Sequence, residues 1–98
     1  MELVLHAESK NASKVKDTLS ADPVVSLASL IFKDGPSLGK TGFYVYISGL
    51  DSQCHKAMEL VKDLVKVVEG KERDQIIHAI KEEQNKAVEG FGSIFGQF

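Results

Sequence analysis

One cysteine, two prolines and no long apolar run are what this 98-residue chain has least of, and each shortage closes off a class of protein. With Cys54 alone no intramolecular disulfide can form, and a secreted domain of this size rarely lacks one, so the sequence is read as that of a cytoplasmic protein. Two prolines, in a composition 43% apolar and 27% charged, set the chain apart from disordered and fibrous sequences. No stretch approaches the roughly 20 apolar residues of a membrane span, and no membrane partner is expected. The run from Leu3 to Ala7, between Glu2 and Glu8, lacks the basic flank and the apolar length of a secretory signal and is read as a first strand. Positive charge is not in excess either: 14 acids against 12 bases leave a formal charge of −2, with no global field to draw the chain to a phosphate backbone. Nucleic acid is therefore the disfavoured partner and protein the favoured one.

What is present is the pattern of one domain, residues 1–98, with one core. Leu3, Leu5 and Ala7 share a face by two-residue alternation. From Asn11 to Ser20, Ala12, Val15 and Leu19 recur at helical spacing, and Asp22-Pro23 ends the helix. Val24 to Phe32 and Phe43 to Ser48 read as strands, joined by a loop from Lys33 to Gly42 that contains three glycines and a proline. Asp51 or Ser52 is placed to cap a helix whose apolar stripe runs through Ala57, Met58, Val61, Leu64, Val65 and Val68 to a stop at Gly70. A further helix, from Glu72 to Glu89, carries Ile76, Ile77, Ile80, Ala87 and Val88 and is closed by Gly90. The predicted order is β-α-β-β-α-α. This is an α+β fold, a variant of the ferredoxin-like plait, with a three-stranded antiparallel sheet and its helices on one face. The sheet becomes four-stranded if the last residues supply a strand.

Four constellations invite a chemical reading. Gly35-Pro36-Ser37-Leu38-Gly39-Lys40-Thr41 approaches a phosphate-binding loop, but three residues rather than four separate the glycines, and a strand rather than a helix follows. A plain hairpin loop is the preferred reading. Lys40 to Tyr46 loosely resembles the aromatic strand of RNA-recognition modules, with Tyr44 and Tyr46 on one face. The spacing departs from that motif, and the first strand offers Val4 and His6 instead of an aromatic. Cys54 and His55 are adjacent near a helix start and point about 100° apart, and neither a C-x-x-C nor an H-x-x-x-H pair supports a metal. Glu59, Asp63, Asp74, Glu82 and Glu83 alternate with lysines at helical spacing, which describes a solvated face. No catalytic residue, cofactor or metal ligand is assigned.

The C-terminal nine residues hold three phenylalanines and an isoleucine among three glycines. The sequence therefore points to a non-catalytic interaction module, a small homo-oligomer that uses a sheet edge or face and this segment as contact surfaces. Its candidate partner-binding residues are Tyr44, Tyr46, Phe91, Ile94, Phe95 and Phe98. The alternative is a small-ligand or single-stranded nucleic-acid domain using Tyr44, Tyr46 and the Gly35–Gly42 loop.

Overall fold

Strand β1 (Glu2–Ala7) is the centre of the molecule, and its alternation divides the rest between two sides. Leu3, Leu5 and Ala7 point to one face, where Val15 and Leu19 of α1 (Ala12–Ala21) and Cys54, Ala57 and Val61 of α2 (Asp51–Val61) cover them. Val45 and Ile47 of β3 (Phe43–Ser48) complete this first core, each fully buried. Each large apolar side chain removed from water here contributes about 1.5–3 kcal/mol, which makes this layer the main stabilising unit. The computed structural model describes the backbone of residues 1–96 and the side chains of residues 1–83.

Four strands pair antiparallel in the order β2-β3-β1-β4, the complete arrangement of a ferredoxin-like plait. β2 covers Ser29–Asp34, shorter than the strand expected from Val24, because Val25–Leu27 forms a single 3₁₀ turn. Asp22 decides this: one carboxylate oxygen accepts the N–H groups of Val24 and Val25, both at 2.9 Å, and curls the chain before the strand can begin. The helix expected to run from Asp51 to Val68 ends at Val61, and Val65–Val67 pairs with β1 as β4. The Val-Lys-Val-Val run is stiff at χ1 and favours strand. As a helix it would leave the second edge of β1, the central strand, without hydrogen-bond partners. The fourth strand is thus this segment and not the C-terminal residues. Leu50, not Asp51 or Ser52, caps α2, its N–H donating to Gln53 Oε1 at 2.9 Å.

The helices divide between the two faces, where the sequence suggested one. After Gly70, whose φ of 67° turns the chain, α3 (Gly70–Gly96) lies across the face opposite α1 and α2. Ile76, Ile77 and Ile80 pack there with Val4, Tyr44, Tyr46 and Val68 in a second core. β1 and β3 are apolar on both sides, and only a second layer can cover the second side. α3 continues through Gly90 to Gly96. A glycine inside a helix costs about 1 kcal/mol relative to alanine, too little to end a helix whose apolar spacing continues in sequence through Phe91 and Ile94.

Candidate interaction surface

The tyrosines picked out from the sequence stand side by side beneath α3. Tyr44 and Tyr46 are 4% and 5% exposed. Tyr46 donates its hydroxyl to the carboxylate of Glu2. Lys81 of α3 approaches the same carboxylate at 3.4 Å, and Arg73 Nη2 donates to the Glu2 backbone carbonyl at 3.1 Å. Tyr44 donates to Glu72 Oε1 at 3.3 Å, with Lys40 3.9 Å from the same oxygen. Lys33 Nζ lies 2.5 Å from Glu83. The three isoleucines set α3 on the sheet, and these polar contacts fix its direction.

The electrostatics follow from that geometry. Burial first, and then the neighbouring carboxylates Glu72 and Glu2, push the phenols of Tyr44 and Tyr46 above their ordinary value. Glu2 is held below the ordinary carboxylate range, chiefly by the Tyr46 hydroxyl and then by Lys81 and Arg73. These shifts describe fastening.

On the same face the register aligns Lys33, Tyr44, His6 and Lys66 in one row across all four strands. His6 tilts against Tyr44, with ring centroids 4.8 Å apart, and its Nε2 lies 3.1 Å from the Thr41 carbonyl. Beside it opens a half-enclosed cavity of about 300 Å³ whose lining includes His6, Lys10, Asn11, Asp63 and Lys66. Glu8, also on its wall, is 3.3 Å from Lys10. Among the described residues no three histidines, cysteines or acids come together to hold a metal.

The remaining candidates separate. The Gly35–Gly42 loop closes on itself through Gly35 N–H to the Gly42 carbonyl at 2.6 Å and Lys40 N–H to the Gly35 carbonyl at 2.8 Å, then enters β3 directly. The N–H groups of Gly35, Gly39 and Lys40 are spent on carbonyls within the loop. Cys54 is fully buried against the first core, and burial raises its thiol pKa, the opposite of an activated nucleophile. Phe98 and the side chains of Phe91, Ile94 and Phe95 lie outside the described residues.

Sequence reasoning named a sheet edge as a contact surface without identifying the strands that form the edges, β2 and β4, which differ. β4 is three residues long with Lys66 at its centre, a short edge guarded by charge. β2 pairs with β3 without a bulge from Ser29↔Ser48 to Asp34↔Phe43, and among the described residues no strand pairs with its other side. Leu30, Ile31 and Phe32 are half-buried there, where the same positions of an inner strand would be fully covered. At the start of β2, Leu27 is 79% exposed and Leu50 is 67% exposed. They belong to one corner: a Cβ on Gly49 would stand 2.9 Å from Ala28 Cβ, and the Met1 amine donates to the Gly49 carbonyl at 2.8 Å. The signal for this surface was legible as an apolar strand without proline or central charge, once its place in the sheet was known. In comparisons with family models, curated proteins and solved structures, the chain matches none.

Proposed function

We propose that the chain is a non-catalytic interaction module that self-associates through its β2 edge. The observation that carries this reading is the six-residue edge, unpaired among the described residues, with exposed Leu27 and Leu50 near its start. Unpaired N–H and C=O groups along a flat strand are a template for another strand, and proteins that remain single cover or charge such an edge. Here the one cation in β2, Lys33, is neutralised by Glu83 and points to the α3 face. The Tyr44 and Tyr46 rings support the module from inside, as the floor on which α3 rests.

Light scattering over a hundredfold range of protein concentration tests the reading. A mass that rises from one chain toward a small multiple supports it. A single-chain mass throughout overturns it. The same measurement with added single-stranded RNA tests the other reading of the tyrosines: a mass shift only in its presence would make nucleic acid the partner.

A further inference from the structure

We infer that the partner at this edge is one second copy of the chain, joined β2 to β2 about a two-fold axis through Ile31. The inference rests on the self-association proposed above and adds the stoichiometry and the register. Residues directly opposite each other in an antiparallel pair lie on the same face of the sheet, and successive residues alternate faces. A two-fold axis normal to the sheet preserves faces, so it must pass through a residue and cannot fall between two. Near the middle of the strand, two positions satisfy this: Ile31, on the α3 face, and Phe32, on the α1 and α2 face.

Side-chain matching chooses between them. With the axis at Ile31, Ile31 meets its own copy, Leu30 meets Phe32 of the other chain, and Ser29 meets Lys33. Three apolar residues then pair only with apolar residues, and no like charges face each other. With the axis at Phe32, Leu30 would face Asp34 and Ile31 would face Lys33, setting an aliphatic side chain against a charge at four positions of the dimer. The Ile31 register also carries residue 27 opposite residue 35. The most exposed large apolar side chain of the described residues, Leu27, is thus brought to the partner's Gly35–Leu38 turn. The product is a continuous eight-stranded sheet with both α3 helices on one side. An isologous contact of this kind closes at two copies and leaves only the short, lysine-bearing β4 edges outside.

Cross-linking tests the register. In a Cys54→Ala background, which removes the native buried thiol, single Ile31→Cys and Phe32→Cys variants are oxidised with diamide at concentrations where light scattering shows the associated form. Opposed Cβ atoms at Ile31 would be about 4.5–5.5 Å apart, within reach of a disulfide after small adjustment, whereas those at Phe32 would be diagonal at about 7–8 Å. The Ile31→Cys chain is expected to form covalent dimer on the order of tenfold faster. Faster linkage at Phe32 would overturn the Ile31 axis and leave edge association standing. Linkage at neither position in variants that still associate would overturn both. Amide exchange on the unmodified chain needs no substitution: the outward-pointing amides between Ser29 and Lys33 should slow as concentration rises, while those of Val65–Val67 stay unchanged. Unchanged exchange in β2 across the association range would overturn the inference.

Discussion

Replacing Ile80 by alanine asks whether the second core belongs to the fold or merely rests on it. Ile80 is 1% exposed and packs with Ile76, Ile77, Val4, Tyr44 and Tyr46. An isoleucine-to-alanine change at such a site loses the transfer energy of three carbons and leaves a cavity, about 2–5 kcal/mol together. Against a total of about 5–15 kcal/mol for an ordinary domain, that is a large fraction. For a domain of this size each kcal/mol moves Tm by about 4–8 °C, so a fall of at least about 8 °C is expected. The chain has two tyrosines and no tryptophan, and both tyrosines lie under α3. Tyrosine fluorescence therefore reports α3 docking, while far-UV circular dichroism reports the secondary structure of the whole chain. In urea the two signals should move together, with the midpoint lowered in Ile80→Ala and unchanged within about 0.5 kcal/mol in Gln75→Ala, at an exposed site of the same helix. Equal midpoints for the two variants, or a tyrosine transition well ahead of the dichroism, would refute a cooperative second core.

Gly42 has a φ of 83°, and a Cβ there would stand 2.5 Å from His6 Nε2 and 2.7 Å from the Ala7 carbonyl. Gly42→Ala should lower stability by more than the ~1–2 kcal/mol of left-handed strain alone, read from urea midpoints. Stability should also fall at high pH. Tyr44 and Tyr46 have raised folded-state pKa values, so their contribution is complete below the ordinary phenol value of about 10 and is lost as pH rises through the folded values. Glu2 acts in the other direction. Its folded pKa is lowered, so its contribution is present above the ordinary carboxylate range and is lost as pH falls through the folded value, an effect screened by salt because the group is partly exposed. Tyr46→Phe should flatten both slopes, and slopes identical to the native chain's would contradict the Glu2–Tyr46 pairing.

The sequence made some elements legible because their causes are local. β1, α1 and β3 are set by alternation or by helical spacing within the segment, and they lie where the pattern puts them. Val65–Val67 was different. Its valines continue the helical stripe of Ala57 and Val61, and only the vacant edge of β1, contributed by residues some sixty positions away, converts them to strand. The same distance effect hid the role of Tyr44 and Tyr46. Their shared face was evident from the two-residue period, but what covers it, Ile76, Ile77 and Ile80, is a separate helix whose face could not be assigned without the sheet order. The β2 edge was invisible for the complementary reason: an edge is defined by which strand is missing beside it, and that is a property of topology rather than of Ser29–Asp34.

Removing residues 84–98 distinguishes the β2 edge from the C-terminal residues as the seat of self-association. Every described contact that holds α3 to the sheet comes from residues up to Glu83: Glu72 and Arg73 at one end, the three isoleucines between, Lys81 and Glu83 at the other. A chain ending at Glu83 therefore keeps both buried clusters and their polar fastenings. It should fold with a urea midpoint shifted by less than Ile80→Ala shifts it, because every described buried side chain of the two clusters is retained. Its β2 edge is untouched, so at equal concentration its associated mass should remain that of two chains. The three phenylalanines and the isoleucine removed by this truncation carry enough apolar surface, at about 1.5–3 kcal/mol each on full burial, to hold an interface by themselves if they are the contact. The two sites thus predict opposite outcomes from one sample. A truncated chain that is folded, with its tyrosine signal intact, and yet monomeric would transfer the interface from β2 to the C-terminal residues. A folded dimer would leave the edge as the contact.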